Sequence, residues 1–367
     1  MKSIQAIKNY NSFFLIFILC IIVINSFSTQ AYAKTNFFVS PDGDDLDTGN
    51  NTQAPLQTIN HALELAQPGD SIKLLSGEYF QDITTVRAGT SSQPILITGS
   101  PGAVVKGTGK TYIANIQHSY IELKNFTIDG LVGRSSSFKN YRKKLVYIKG
   151  LNSNGIQNVK LLNMTILNAR DECIRLKYFA QNIEIANSRI SHCGIEDFRF
   201  NGGGHNGEAI YIGTAPEQLN KNPTSETDQS NNNWIHNNII EPFGSECIDV
   251  KEGSSFNIIE YNQCSQGKDR KVAGIAIRGN ENIIRHNIIH KNLGAGIKLG
   301  GDSPSDGINN DIYGNQLSDN KFGALKIMAE PQGKICNNTF VLKGSQQAVR
   351  GRKGLVKDLF IQSCLGR

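Results

Sequence analysis

At 367 residues the chain is long for one conventional domain, at roughly 100–200 residues each, but not for a repeat that grows by adding units. Hydrophobic residues make up 39%, enough for a sizeable core, yet aromatics reach only 8%, Trp234 is the single tryptophan and glycines number 36, which argues against a helical bundle. The formal charge of +6 is mild and unconcentrated, so nucleic acid is not the expected partner.

Lys2 and Lys8 precede an apolar stretch from Phe13 to Ile24, and Ala31-Tyr32-Ala33 supplies a small-x-small cleavage pattern. Residues 1–33 are therefore expected to be a secretory signal peptide, the apolar run being short of the ~20 residues that span a bilayer. The mature protein, 34–367, is expected to be secreted or periplasmic, clear of the membrane and monomeric. With Cys20 lost, six cysteines remain, an even number in an oxidising compartment. Cys336 with Cys364 is the expected bridge, a staple for the tail. The rest of the pairing stays open, and no CxxC suggests a metal cluster.

Leu56 to Ala66 carries Ile59, Ala62, Leu63 and Ala66 on one helical face, a short helix suited to capping the open end of a solenoid. Around it stand Phe38-Val39-Ser40-Pro41-Asp42-Gly43, Pro68-Gly69-Asp70 and Ile72-Lys73-Leu74, then Gly77 and Tyr79. This series resembles the opening of right-handed β-helix proteins that act on acidic polysaccharides.

From about residue 118 short segments alternate Ile, Leu or Val with polar residues and end on Asn, as at Ile183–Asn187, Ile235–Asn238, Ile258–Asn262 and Ile283–Asn287. Ile235, Ile259 and Ile283 recur at a period of about 24 residues, and second strands such as Ile174-Arg175-Leu176, Ile210-Tyr211-Ile212 and Ile248-Asp249-Val250 lie between. Short strands with a two-residue alternation and Asn or Gly at the corners predict an all-β, single-domain right-handed parallel β-helix of nine to eleven coils. Residues 34–115 form the cap and first coils, 116–345 the central and C-terminal coils, and 346–367 a tail. Asn at the corners can stack into a ladder and tolerates left-handed backbone.

Aligning the second strands on their first inward Ile stacks Glu172, Glu208 and Glu246 two residues earlier, and Lys177, Gly213, Lys251 and Arg278 three residues later. Carboxylates about 4.8 Å apart repel unless a cation lies among them. Hard oxygen donors suit Ca2+, with Asn206 a better further ligand than His205. Single outward charges on a solenoid are usually just solvated; the agreement across coils singles out this group. Asp171, Asp249 and Glu252 are either further ligands or solvated. Cys173 and Cys247, in Glu-Cys-Ile both times, are expected to face outward with no catalytic role.

Asn206-Gly207-Glu208-Ala209-Ile210-Tyr211-Ile212-Gly213, Glu246-Cys247-Ile248-Asp249-Val250-Lys251 and Gly274-Ile275-Ala276-Ile277-Arg278-Gly279-Asn280 are similar to the motif series of the polysaccharide lyase family containing chondroitinase B and the β-helical alginate lyases. The resemblance implies Lys251 as base, Arg278 as acid or charge stabiliser, and Glu246 with Asn206 as Ca2+ ligands; the column adds Glu208 and Glu172. Tyr211, Lys177 and His205 are expected to bind substrate. Two departures stand out: Gly244 lies where the family has a further Glu, and the run 267–271 lengthens the loop between Lys251 and Arg278.

Such a site would neutralise a uronate carboxylate, remove the C5 proton with a neutral Lys251, and expel the C4 oxygen with a proton from Arg278, Tyr211 or water. Arg278 and a cation are expected to depress the Lys251 pKa, and an outward Lys251 should matter little to stability. A C5-epimerase shares the first step and stays open, as does an adhesive, carbohydrate-binding solenoid. A hydrolase of this fold would use clustered Asp, and adjacent aspartates occur only at Asp44-Asp45. The polar run 216–232 is expected to wall the groove or be partly disordered.

Overall fold

The structure, a computed structural model, describes residues 33–109, 111–204, 206–351 and 364. The expected signal peptide lies outside the described residues except for Ala33, as does the tail beyond 351 except for Cys364. The described residues from Lys34 onward make one compact unit, and no helix among them is long and apolar enough to cross a membrane.

Three long parallel sheets of eleven, ten and ten strands wind into a β-helix. Each coil contributes one short strand to each sheet, as in Ile174–Lys177, Glu184–Ala186 and Arg189–Ser191, before Ile210–Ile212 begins the next. The period-2 pattern sets the faces: Ile185, Ile235, Ile259, Ile284 and Ile312 stack in register down one interior wall, each fully buried. At about 25 cal/mol per Å² of apolar surface buried, this column and its counterparts on the other two sheets are a main source of stability.

The corner expectation divides between neighbouring residues. Asn163, Asn187 and Asn237 take left-handed backbone, with φ of 55°, 53° and 56°, a conformation Asn accepts at little cost. The ladder is built by the next corner residue and lies inside. Asn238 N donates to Asn262 Oδ1 (3.1 Å), Asn262 N to Asn287 Oδ1 (3.0 Å), and Asn287 N to Asn315 Oδ1 (3.0 Å). Asn262 Nδ2 also donates to Ile235 O at 2.8 Å. Removing one rung orphans buried groups on both sides, at about 1–3 kcal/mol each. Asn262→Ala should therefore cost several kcal/mol in denaturant unfolding, whereas Asn163→Gly, at an exposed corner, should cost well under 1 kcal/mol, of the order that separates Asn from Gly in a left-handed position.

The helix α1 spans Ile59–Leu65, shorter than its apolar pattern. Leu56 instead bridges to Val39, and Thr58 caps the helix, accepting from His61 N at 3.2 Å. Among the described residues there are three disulfides: Cys336–Cys364, Cys173–Cys193 and Cys247–Cys264. Cys173 and Cys247 thus point inward, both fully buried, which corrects their expected outward position. Their side chains tie the start of one coil to the last strand of the same turn. A second short helix, α2 (Ile195–Arg199), lies in the loop before Glu208.

Candidate functional site

The site lies on the outer face of the ten-stranded sheet containing Ile174–Lys177, Ile210–Ile212, Ile248–Val250 and Ala273–Ile277, here the site sheet. Ile174, Ile210, Ile248 and Ile275 are register partners. Glu172, Glu208 and Glu246 consequently stack, as do Lys177, Gly213, Lys251 and Arg278. The residue between the inward positions also faces out, adding Arg175, Tyr211, Asp249 and Lys298.

Glu172 is separated from the other glutamates by its partners. Lys144 hydrogen-bonds one oxygen and Arg175 NH1 lies 2.6 Å from the other. Burial alone would raise its pKa, but these two cations hold it below the usual carboxylate range. Glu208, Glu246 and Asp249 instead form a buried trio whose oxygens lie within 4.8 Å of one another. Burial, then Glu172 and Asp249, push Glu208 up to about 7; burial, then Asp249 and Glu208, push Glu246 well above its usual value. Asp249 Oδ1 is buried without a hydrogen bond. Burial alone would raise Asp249 itself, but Lys251 and then Arg278 hold it below its usual range. Buried hard oxygens gathered this closely, with Asp249 Oδ1 lacking a hydrogen bond, are a donor set that fits Ca2+.

Asp249 was legible in the sequence only as one of several acidic neighbours. Its one distinguishing mark was its place beside the first inward Ile of the Lys251 strand. Gly244 has a steric cause: a Cβ there would come within 2.2 Å of Cys193 O and 2.5 Å of Gly207 O.

Lys251, Tyr211 and Arg278 gather at the Asp249 side of this trio. Lys251 Nζ lies 2.6 Å from Asp249 Oδ2 and 4.5 Å from the Tyr211 ring centroid. Arg175 covers the ring from the neighbouring strand, at 4.3 Å. Burial pushes Lys251 down, but Asp249 outweighs it and holds the ammonium above its ordinary range, opposite to the expected depression. Lys251 is 7% exposed, so its ion pair is buried, which corrects the expectation of a dispensable surface lysine. Burial likewise pushes Arg278 down, yet Asp249, Glu252 and Glu246 keep it above its usual value, and its guanidinium reaches Glu252 at 3.5 Å and Asp302 at 3.4 Å. A guanidinium so held stabilises charge and does not surrender a proton. The Tyr211 hydroxyl has no hydrogen-bond partner among the described residues, and burial raises its pKa.

Asn206 sits in the loop after α2, exposed, with Asp197 accepting from its backbone N at 2.8 Å and from its Nδ2 at 3.3 Å. It is thereby turned to its own loop. His205 lies outside the described residues. The polar run 216–232 is ordered: Gln218 Oε1 accepts from Arg175 NH2 at 3.1 Å, and Asp228 is buried, accepting from Tyr178 N, Phe179 N and Thr214 Oγ1. It walls the groove.

Lys177 stands two strands from Lys251. Burial first, then Arg175 and Lys149, push it down to about 8, against a usual 10.5. The unfolded chain therefore holds this proton between about pH 8 and 10.5 while the folded one has released it, so the group's contribution to stability rises with pH across that window. Lys177→Met should remove this slope. It should also stabilise the protein at pH 7 by about 1 kcal/mol, the full shift being discounted for solvent screening at a groove wall, as read by chemical denaturation at the two pH values.

A family model described as protein of unknown function (DUF1565) matches residues 41–253, and one described as right handed beta helix region matches residues 226–349. No curated protein matches the chain. Among solved structures it is similar to alginate lyase from Paenibacillus sp. str. FPU-7, at 22% identity over 79% of this chain and 95% of that one, with a TM-score of 0.61. It is also similar to pectate lyase Pel9A, at 13% identity over 85% and 79%, with a TM-score of 0.56. GH136 lacto-N-biosidase from Eubacterium ramulus matches at 14% identity over 86% and 65%, with a TM-score of 0.60. These likenesses show the right-handed β-helix; two lyases and a lacto-N-biosidase on one scaffold also show that the scaffold does not choose the chemistry.

Proposed function

The chain belongs to the family described as protein of unknown function DUF1565, and from the groove of its site sheet we propose that it is an exported polysaccharide lyase that cleaves a uronate-containing polymer by β-elimination. The observation that carries this reading is the convergence of Tyr211, Lys251 and Arg278 on three neighbouring strands of one groove floor. Export is supported by the paired cysteines, since disulfides persist in oxidising compartments.

In the proposed step Arg278 faces the substrate carboxylate and spreads the negative charge that develops when C5 loses its proton. Lys251 Nζ takes that proton. To do so the amine must first release its own proton to solvent; Asp249 Oδ2, 2.6 Å away, holds the resting ammonium, and the positive charge of Arg278 and of a cation on the trio would offset that hold. The electron pair of the C5–H bond forms the C4–C5 double bond, the C4–O bond breaks, and the Tyr211 hydroxyl donates to the departing oxygen. Glu208, Glu246 and Asp249 are the residues that would hold Ca2+, which when bound adds positive charge beneath the reacting carboxylate.

Tyr211→Phe is the sharpest single test of the acid. The hydroxyl has no structural partner, so the variant should melt like the parent, while kcat falls by roughly 10²-fold or more for loss of general acid catalysis, with little change in KM. Undiminished kcat would assign the leaving-group proton to water.

A further inference from the structure

Below Tyr211 along the site sheet the outward charges that follow the first inward Ile or Val of each strand are all positive. Arg175 and Lys177 stand on the strand paired to that of Tyr211, and Lys149 on the next. Lys149 and Lys177 are register partners, so their backbones lie about 4.8 Å apart, and like charges directly opposed on neighbouring strands repel. Neither ammonium has a hydrogen bond or ion pair with any described residue, although Lys177 is only 5% exposed. Arg175 is 8% exposed and its Nε is buried with no partner.

The carboxylates nearby are already committed. Glu172 serves Lys144 and Arg175, and Asp228 accepts from two backbone N–H groups and from the hydroxyls of Thr214 and Ser230. The depression of Lys177 noted above reports the same excess of positive charge. Glu172 is the counter-ion of Arg175, whereas Lys149 and Lys177 beside it have none, and a fold does not gain stability from two opposed ammoniums without one, so the pair is built for an anion from outside.

We propose that Lys149, Arg175 and Lys177 form a second anion subsite of the groove, which holds the carboxylate of another uronate in the same polymer chain, two sugars from the one that reacts. This rests on the reading of Lys251 and Tyr211 as the reaction centre. Arg278, which faces the reacting carboxylate, and Lys177 share one register three strands apart, roughly 14 Å; Gly213 stands between them, roughly 10 Å from Arg278, so a carboxylate two sugars on lies over Gly213, within a side chain's reach of Lys177. A pyranose linked through opposite ring carbons advances by about one strand spacing, and in an extended chain with alternating rings the carboxylates on one edge recur at every second sugar. The substrate is thus a linear acidic polysaccharide with a uronate at least at alternate positions. A single uronate flanked by neutral sugars would fill the reaction centre and leave this subsite empty.

The experiment separates binding from turnover by using Lys251→Arg as a background and measuring calorimetric affinity for a purified oligouronate tetramer, with sodium acetate and sodium sulfate as separate probes. Lys149→Met and Lys177→Met should each weaken the tetramer about tenfold or more, and a tetramer whose carboxylate two sugars from the reacting position is reduced to the alcohol should bind the parent equally weakly and be indifferent to the same substitutions. Both substitutions remove repulsion, so the melting temperature should rise, which guards against misfolding as the cause. In the otherwise unaltered enzyme they should raise KM by the same factor while moving kcat far less. Equal tetramer affinity with and without the two lysines would overturn the subsite. So would acetate or sulfate alone matching the tetramer's affinity, which would reduce the cluster to a site for free anions. Tetramer binding that needs both lysines, in a protein that yields no unsaturated product, would leave the subsite standing and remove the lyase.

Discussion

Lys251→Arg is expected to leave the β-helix folded and to lower turnover by roughly 10²- to 10⁴-fold, the usual loss when a general base is removed. Arginine is the informative replacement because of Asp249. The ammonium lies 2.6 Å from Asp249 Oδ2, and both side chains are buried. Lys251→Ala would strand that carboxylate with only Arg278 nearby, 3.6 Å away. Breaking a buried pair costs about 3–5 kcal/mol, so an inactive alanine variant could simply be unfolded. A guanidinium keeps the charge and the contact with Asp249, yet cannot act as a base. The pair of measurements is a melting curve and kcat on a polymer the parent cleaves. A variant that melts normally and turns over at the parental rate would mean that Lys251 is only a counter-ion for Asp249.

Calcium should raise the melting temperature, and Glu246→Gln should abolish most of that rise. Three carboxylates whose oxygens gather within 4.8 Å repel unless they hold protons or a cation between them, and a cation that binds only the folded state stabilises it by about 2.7 kcal/mol at a hundredfold excess over its Kd. The glutamine variant removes one charge and one donor while keeping the shape. In chelator it should be at least as stable as the parent, because repulsion from Asp249 and Glu208 is relieved. Calorimetry with CaCl₂ checks the same point directly. Equal melting of the parent in calcium and in chelator would leave the trio as a proton-sharing cluster, with Arg278 as the sole clamp on the substrate carboxylate.

The repeat was readable because its physics is periodic. Glu-Cys-Ile at residues 172–174 and 246–248 fixes the relative register of two coils, and the pairing of Ile174 to Ile210 to Ile248 follows that alignment. Stacking of the glutamates and of Lys251 with Arg278 comes with the register. What periodicity does not carry is which neighbour a side chain turns toward. Glu172 belongs to the same column as Glu208, yet Lys144 and Arg175 claim it, and that depends on a strand whose charged pattern gives no sign of the pairing. Asn206 lies two residues from Glu208, but the loop after α2 curls back onto Asp197. The cysteine partners lie on or just past strands of another sheet, Cys264 within Gln263–Ser265 and Cys193 two residues after Arg189–Ser191, where spacing along the chain says little about distance in space. Lys251 shows the same limit in its charge state. An outward position predicts solvent, whereas Lys251 is buried against the Tyr211 ring and Asp249, and Asp249 controls the ammonium.

The central claim is elimination, and one measurement addresses it most directly. The purified protein is incubated in turn with alginate, pectate, chondroitin and dermatan, while ultraviolet absorbance of the C4–C5 double bond and the number of new reducing ends are followed together. The account predicts that on at least one of these polymers both rise in equal molar amounts, and that neither rises with Lys251→Arg. New reducing ends without the absorbance would mean that water, not elimination, breaks the glycosidic bond, and would contradict it.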